Sequence, residues 1–433
     1  MKPPTVVSLF SGCGGMDLGF KKAGFDIIWA NDFFKDAVAT YKKNIGDHIV
    51  LGDITEIPSS KIPDNPDVIL GGFPCQGFSI ANSKKPAYDK RNFLYLEMIR
   101  VINDKRPKFF VAENVKGMTS INDGQFIKNI ISDFEDVGYH VDYELLDMIN
   151  YGVPQTRKRV IIIGNRIGAE NPFPKETHGY DKGLITPATT EETIGHLCKV
   201  HTREEPVEVK DPKTKQIKKV YNHWAKTKID DEFWGRKYDV DQFDICDYLK
   251  HWRNKAGYGT KQIDDLFGYA YTAGHWFRKD NNSGSIPNPD DWWKLKEILG
   301  FDNKYDKQVT TMVRKKITYE TSLRVNNWDE PNDTIIATGS EIHPKSPRRL
   351  SARECAIIQT FPDSFKFTGK IDSIHTQIGN AVPVFFAKKL GNCIKNAMAN
   401  QWGDLPPLEL DKEVKQQKID ENIDSLTVGG ERY

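Results

Sequence analysis

Cys75 is the residue of this chain whose surroundings most favour chemistry. It lies in the segment GGFPCQGFS (71–79), directly after the apolar run VIL (68–70). Such a run is typical of a buried strand, and open α/β sheets carry their chemistry at the carboxyl ends of strands. A thiolate is a strong nucleophile once its pKa is lowered, but most cysteines are small buried hydrophobic residues. Both interpretations stay open on this segment alone.

Three further polar groups occur beside predicted strands. Glu113 follows the apolar run FFVA (109–112), where poor solvation suits a carboxyl group to proton donation, although it could simply cap the next helix. Arg157 and Arg159 precede VIII (160–163), and alternate residues of an extended segment point the same way. We therefore expect them to share a face that suits a phosphate or a carbonyl oxygen, unless both are ordinary surface charges.

A thiol, a proton donor and a guanidinium pair together suit attack on an electron-poor, planar ring. The cysteine would add to the ring, the acid would protonate it, and an arginine would hold an exocyclic oxygen. The adduct would then be electron-rich enough to attack an activated methyl group.

The elements that would position these groups form an alternating pattern. Helices are predicted between some of the strands, over 16–23, 35–43, 93–103 and 124–137. Short apolar strands are predicted at 5–10, 26–30, 48–51, 67–70, 108–112, 140–146 and 159–164. The pattern predicts the α/β class, with a doubly wound, mostly parallel sheet covered on both faces.

The first strand ends in the glycine-rich turn FSGCGG (10–15). Asp32 follows about twenty residues after Gly12, where nucleotide-binding sheets carry an acceptor for ribose hydroxyls. Asp53 ends the third predicted strand and could accept from an adenine amine. The turn lacks the full GxGxxG pattern and the P-loop lysine, which favours an adenosine ligand other than NAD or ATP. Alternatively, the glycines only make a tight turn and the acids only cap helices.

Composition restricts the class of protein. The 433 residues carry a formal net charge of +1, so any nucleic-acid surface must be local. The six cysteines lack ligand or disulfide spacing, which predicts no metal site and a reducing, cytoplasmic setting. No apolar stretch is long enough to span a membrane, and no signal peptide is expected.

Six motifs in a fixed order resemble those of the cytosine-specific DNA methyltransferases that modify ring carbon 5 using S-adenosylmethionine, of the bacterial modification-enzyme type. The likeness covers about residues 5–165 and 333–397. The motifs are FSGCGG (10–15), GFPCQ (72–76), ENV (113–115), QTRKR (155–159), RRLSARE (348–354) and QIGNAVP (377–383).

The resemblance implies a catalytic role for each matching position. Cys75 would attack ring carbon 6 of a cytosine, with Pro74 positioning the thiol. Glu113 would donate a proton to ring nitrogen 3, and Arg159 would hold the carbonyl oxygen of the base. The remaining members of the implied catalytic set are Asn114, Gln155 and Arg157.

The resemblance also implies a binding site for S-adenosylmethionine. Asp32 would take the ribose hydroxyls, although many relatives carry Glu there, and Asp53 would accept from the adenine amine. Phe33 and Ile54 would sandwich the adenine. The other implied contacts are Phe10, Ser11, Gly12, Cys13, Gly14, Gly15, Pro74, Leu94, Asn380, Ala381 and Val382.

The predicted domains are a catalytic and cofactor-binding domain (1–169), a smaller inserted target-recognition domain (170–332), a return segment completing the first domain (333–403) and a polar tail (404–433). The insert carries seven of the nine tryptophans, and we expect most of them to form its core. Its charged run 210–219 is expected to be a loop. The residues predicted to touch DNA are Gln76, Ser79, Arg278, Lys279, Arg314, Lys315 and Lys316.

The partner implied by the resemblance is double-stranded DNA, from which the enzyme would flip one cytosine. We expect a monomer in the bacterial cytoplasm, associated with the nucleoid while it acts on DNA. A cognate restriction endonuclease would act separately. Two alternatives stay open: a relative that methylates cytosine in transfer RNA, and a catalytically inert DNA-binding relative.

Overall fold

We describe the protein from a computed structural model. The structure describes residues 2–74, 94–197, 199–201, 206–211, 215–225, 242–268, 276–277, 287, 289–310, 324–339, 341–346 and 348–399. These residues fall within two compact units. The first draws on Met1–Gly152, Lys158–Gly179 and Ala381–Tyr433, and the second on Val153–Arg157 and Tyr180–Asn380. Residues 333–380 group with the second unit, although the sequence predicts them in the catalytic domain. The functional domain boundaries stay a prediction.

The first unit is built on a seven-stranded sheet with the order β3-β2-β1-β4-β5-β7-β6. The pairings from β3 to β5 are all parallel, and β7 is antiparallel to both of its neighbours. The strands are β1 (Thr5–Leu9), β2 (Asp26–Asp32), β3 (Ile49–Leu51), β4 (Val68–Gly71), β5 (Phe109–Val115), β6 (His140–Asp147) and β7 (Lys158–Asn165). The predicted α/β class with a mostly parallel sheet is confirmed.

Helices of the first unit cover this sheet, as a buried parallel sheet requires. Met98 and Ile102 of the third helix and Phe134 of the fourth are buried against Ile69 and Phe110 of the central strands. The helices are α1 (Gly15–Lys22), α2 (Lys35–Asn44), α3 (Leu94–Lys105) and α4 (Gln125–Asp136), and 3₁₀ helices cover Ile54–Glu56, Ser59–Lys61, Lys116–Gly124 and Met148–Tyr151.

The end of the described chain returns to this unit as the helix Val384–Ala399, numbered α12 below. A Cβ added to Gly19 of α1 would lie 2.3 Å from Cβ of Ala387, so the two helices are in backbone contact. This helix therefore packs directly on α1 of the first unit.

The described part of the second unit contains seven helices, two short strand pairings and two isolated bridges. Its helices are α5 (Thr190–Ile194), α6 (Gln242–Ala256), α7 (Thr260–Phe267), α8 (Pro289–Leu299), α9 (Asp306–Thr310), α10 (Ala352–Ile358) and α11 (Ile371–Asn380), with a 3₁₀ helix at Gly195–Leu197. Antiparallel β8 (Val207–Lys210) and β9 (Ile217–Val220) form a hairpin, and β10 (Arg324–Val325) pairs in parallel with β11 (Glu341–Ile342). Isolated bridges join Gln155 to Asn332 and Ile342 to Arg349.

Two features of the second unit bear on the sequence predictions. Trp276 and Trp292 are buried in a cluster with Ile245 and Leu249, as expected of a tryptophan core, whereas Trp293 is 48% exposed. The charged run 210–219 is not simply a loop, because its two ends belong to β8 and β9. The residues of both strands are exposed or half-buried, except for the buried Val220.

Candidate active site

The glycine-rich turn and Asp32 are brought together at the carboxyl edge of the sheet. The Asp32 carboxylate accepts hydrogen bonds from the backbone N–H of Gly12 and of Phe34, each at 2.7 Å. Burial raises the pKa of Asp32, and these backbone hydrogen bonds oppose that rise. Gly12 has φ of +56°, and a Cβ added there would meet no atom within 4 Å. The turn therefore faces open space beside an acceptor group, as a ligand site requires.

The other residues predicted to hold an adenosine lie at the ends of the next two strands. The Phe33 side chain is 71% exposed, whereas Ile54 is buried. Asp53 is exposed and uses Oδ1 to cap the helix Ile54–Glu56, accepting from Thr55 N at 3.0 Å. The buried Asn31 amide donates to the carbonyl of Gly52 at 2.9 Å and so joins the ends of β2 and β3. Asp53 therefore caps a helix through Oδ1. Its predicted role as an acceptor for an adenine amine would fall to Oδ2.

The structure describes the chain up to Pro74, one residue before Cys75, and again from Leu94. Asn114 is 3% exposed, donates from Nδ2 to the carbonyl of Phe73 at 3.1 Å, and accepts at Oδ1 from Val115 N at 2.8 Å. A Cβ added to Gly72 would lie 3.8 Å from Oε2 of Glu113. The segment that leads into Cys75 is therefore tied to the end of β5, beside Glu113.

Glu113 and Arg159 form an ion pair across the antiparallel pairing of β5 and β7. Arg159 Nε lies 2.9 Å from Glu113 Oε1, with side chains 14% and 11% exposed. Burial lowers the pKa of Arg159, and the Glu113 carboxylate opposes that lowering. The sequence predicts both residues for one site without predicting that they bind each other. A carboxyl group and a guanidinium are thus held next to the strand end that precedes Cys75.

Arg157 does not join this pair. Its guanidinium is 1% exposed and donates at 2.8 Å to the carbonyls of Ile335 and of Gly379, all within the second unit. The expectation that Arg157 and Arg159 share a face is wrong, because β7 begins at Lys158 and the alternation of a strand does not extend to Arg157. Gln155 is likewise buried and bonds to Ile358 O, Gln359 Oε1 and Ile335 N. Both are placed to support the segment before Arg159.

The remaining predicted cofactor contacts belong to different elements of the chain. Leu94 begins α3 and is half-buried, Asn380 ends α11 and is exposed, and Val382 is buried. In the first turn Cys13 is buried, and burial raises the pKa of its thiol. A Cβ added to Gly379 would lie 2.3 Å from the carbonyl carbon of Ile336, so backbone packing alone requires a glycine there.

Several predicted residues lie outside the described residues, and the structure says nothing of them. They are Cys75, Gln76, Ser79, Arg278, Lys279, Arg314, Lys315 and Lys316. Within the described ranges, no group of three or more His, Cys, Asp or Glu could hold a metal ion. No helix in that part of the chain combines the length and hydrophobicity needed to cross a bilayer.

Sequence reasoning missed two buried polar residues beneath this edge. Asn31 bridges β2 to β3, and Asp17 lies under the glycine-rich turn with 0% exposure. Asp17 could have been found, because it falls beside Met16 and one turn from Phe20 on the apolar face of a predicted helix.

The model of the family described as C-5 cytosine-specific DNA methylase matches residues 4–396. The chain belongs to this family. The resemblance seen in the six motifs is confirmed, and so is the function that it implies, methylation of DNA cytosine at ring carbon 5.

Relatives of this methylase have type II methyltransferase names. It is 32% identical over 389 residues to Type II methyltransferase M.NgoFVII of Neisseria gonorrhoeae, covering 88% of this chain and 83% of that protein. It is 31% identical over 413 residues to Type II methyltransferase M.MthTI of Methanothermobacter thermautotrophicus, covering 90% and 96%. The names connect these relatives with restriction–modification systems.

A solved structure agrees with the methylase fold. A prophage-encoded protein of E. coli, described as a DNA modification methyltransferase, matches with a TM-score of 0.57 and 22% identity. The match covers 92% of this chain and 99% of that chain. At this identity the likeness concerns the fold alone, which it confirms.

Proposed function

We propose that this methylase takes its methyl group from S-adenosylmethionine and transfers it through a covalent adduct between Cys75 and a flipped cytosine. The observation that carries the proposal is the order of groups along one edge of the sheet. Asp32 ends β2, the Gly12 turn follows β1, Pro74 follows β4, and Glu113 lies near the carboxyl end of β5, in the spatial order β2-β1-β4-β5. The turn and Pro74 thus flank the boundary between β1 and β4, where doubly wound sheets bind ligands.

The residues present fit S-adenosylmethionine. When bound, this group supplies an electrophilic methyl on a sulfonium. Gly12 leaves open space at the turn, Asp32 offers acceptor oxygens for hydroxyls, and Phe33 presents a ring that is 71% exposed. A carboxylate has about four acceptor positions, so the backbone hydrogen bonds of Gly12, Phe33 and Phe34 to Asp32 do not exhaust it. Asp53, Ile54, Leu94 and the segment 380–382 complete the proposed site.

The proposed chemistry assigns one role to each catalytic side chain. The Cys75 thiolate adds to ring carbon 6 while Glu113 gives its proton to ring nitrogen 3, which makes ring carbon 5 a nucleophile. Arg159 donates to the carbonyl oxygen of the base. Its 2.9 Å contact with Glu113 positions that carboxyl group before the base enters, and Glu113 takes up its proton from solvent as ring nitrogen 3 binds. Asn114 anchors the segment before Cys75 through the Phe73 carbonyl. Once the methyl group stands on ring carbon 5, the proton of that carbon leaves to solvent, the ring-nitrogen-3 proton returns to Glu113 and the thiolate departs, which restores the aromatic base.

We further propose that duplex DNA is the substrate and that 170–332 recognises the target sequence. Inside a duplex, the neighbouring bases cover both faces of ring carbon 6, so the cytosine must leave the stack before Cys75 can reach it. Flipping one base out of the duplex costs on the order of a few kcal/mol. Phosphate contacts from basic side chains of the insert would offset that cost. We also propose that the enzyme acts as a monomer in the bacterial cytoplasm. The type II methyltransferase names of its relatives support a separate cognate restriction endonuclease.

Bisulfite sequencing tests this function directly. Unmethylated genomic DNA, and transfer RNA in parallel, would be incubated with the full chain and S-adenosylmethionine. We expect protected cytosines in DNA within one short recurring sequence, and none when Cys75→Ala replaces the wild type. Protection confined to transfer RNA, or no protection with a folded protein, would contradict the proposal.

A further inference from the structure

The glycine-rich turn rests on a buried carboxylate that the proposed mechanism does not use. Asp17 lies in the first turn of α1 and is 0% exposed. Its Oδ2 accepts from the Ser8 hydroxyl at 3.0 Å, and its Oδ1 accepts from the Tyr41 hydroxyl at 3.0 Å. Both hydroxyl partners are neutral, so the charge is held by hydrogen bonds and by the amino terminus of the helix.

Such a group is costly for folding. Burial of a carboxylate without a cation beside it loses hydration that neutral hydrogen bonds restore only in part. Natural proteins retain polar residues that lower folding stability where a functional site depends on them. The two hydrogen-bond partners of Asp17 connect it to the turn by two arms, Ser8 through a further hydrogen bond to Ser11 and Tyr41 through the packing of its ring.

The first arm runs through two serines. Because an ionised carboxylate only accepts, Ser8 must donate its hydroxyl proton to Asp17, which leaves the Ser8 oxygen as an acceptor. Ser11 donates to that oxygen at 2.9 Å, and its backbone N–H donates to Asn31 O at 2.9 Å. The Ser11 side chain therefore faces the protein interior, and Ser11 serves the turn by fixing its backbone.

The second arm runs through Tyr41, which is fully buried. Its proton goes to Asp17, so its oxygen accepts from His48 Nε2 at 3.0 Å. Its ring packs directly beneath the turn, because a Cβ added to Gly14 would lie 2.8 Å from Tyr41 Cδ2. Gly14 has φ of +90°, and the fixed ring sets how close its backbone can approach α2.

We propose that Asp17 is a positioning residue for the methyl-donor site, acting through Ser8 and Ser11 on one side of the turn and through Tyr41 on the other. This inference rests on the proposed function, in which the turn binds S-adenosylmethionine. The carboxylate orients hydroxyls that hold the turn in its binding shape before the cofactor arrives, so that less ordering is needed on binding.

Calorimetric titration of the full chain with S-adenosylmethionine tests the inference. We expect Asp17→Asn to weaken binding about tenfold and Tyr41→Phe, which keeps the ring under Gly14, about fivefold. The matched control is Asp133→Asn in α4, which breaks an equivalent bond from Tyr95 at 2.9 Å. It should bind within about twofold of wild type, and thermal unfolding verifies that each variant is folded.

Two further readouts separate positioning from general structure. In steady-state methylation Asp17→Asn should raise the KM for S-adenosylmethionine and leave kcat at saturation near the wild-type value. The Ser8→Ala, Asp17→Asn double variant should bind no more than about twofold weaker than Asp17→Asn alone, because both changes break one route.

The failures are distinguishable. If the wild type does not bind S-adenosylmethionine, the proposed function fails. If the wild type binds and the folded Asp17→Asn and Tyr41→Phe variants bind equally well, only the inference about Asp17 fails. Loss of binding in Asp133→Asn equal to that in Asp17→Asn, or additive effects of Ser8→Ala, would likewise overturn it.

Discussion

Removal of the Asn114 amide should slow methyl transfer without weakening the cofactor site. The amide donates to the Phe73 carbonyl at 3.1 Å, two residues before Cys75, and accepts from Val115 N at 2.8 Å. Asn114→Ala leaves the buried carbonyl without this donor. The segment that carries the thiol can then move relative to Glu113, which stays on β5.

The magnitude follows from the hydrogen bond that is lost. A buried carbonyl deprived of its donor costs about 1–3 kcal/mol. If that free energy is lost from the transition state, kcat falls about 5-fold to 150-fold. Since the turn at Gly12 follows a different strand, the dissociation constant for S-adenosylmethionine should stay within about twofold of the wild-type value.

The matched control is Asn165→Ala, at the opposite edge of the same sheet. Asn165 is 0% exposed, donates to Ala169 O at 2.8 Å, and pairs with Phe109 at the start of β5. The Asn165 side chain makes four hydrogen bonds, so its loss should lower stability at least as much as Asn114→Ala does and leave kcat unchanged. Single-turnover methylation of target DNA measures both variants. A folded Asn114→Ala enzyme with a wild-type rate, or an equal loss of rate in Asn165→Ala, would refute the reasoning.

Three other outcomes follow from the described contacts. Glu113→Gln keeps the size of the side chain but has no carboxyl proton, so single-turnover methylation should slow about 100-fold or more, and a wild-type rate would remove Glu113 from the mechanism. Arg157→Met strips donors from the Ile335 and Gly379 carbonyls, so calorimetry should show the second unit less stable by about 2–4 kcal/mol; an unchanged midpoint would contradict this. Burial raises the pKa of Asp17 from 3.8 to about 6, so the native state holds more protons than the unfolded state and wild-type stability falls as pH rises through that interval. Between about pH 5 and about pH 8, urea unfolding should show Asp17→Asn gaining about 1–2 kcal/mol relative to wild type, and a constant difference would argue against a buried, titrating Asp17.

The sheet and its chemical edge were predictable because both depend on local patterns. Continuous apolar runs such as VIL (68–70) and FFVA (109–112) specify buried strands, and the residues after them must lie at one edge of a parallel sheet. That Asp32, Pro74 and Glu113 lie at one edge follows from this rule and from the strand order that right-handed crossovers favour.

Contacts between residues distant in the sequence were not predictable in the same way. Arg157 was expected to face a ligand, but its partners Ile335 and Gly379 lie 178 and 222 residues further along the chain. Asp17 reads as one polar residue in an apolar helix, and only the folded position of Tyr41 reveals its second partner. The hairpin of β8 and β9 was hidden by charge, because exposed two-stranded pairings show no buried face.

The central claim is that the sulfur of residue 75 bonds to a cytosine that has left its duplex. Oligonucleotides with 5-fluorocytosine at the target site, once bisulfite sequencing has identified it, trap such a bond because the fluorine cannot depart as a proton does. With S-adenosylmethionine present, we expect a denaturant-resistant protein–DNA complex with the wild type and none with Cys75→Ala. A folded, DNA-binding wild-type protein that never becomes attached to this DNA would contradict the account.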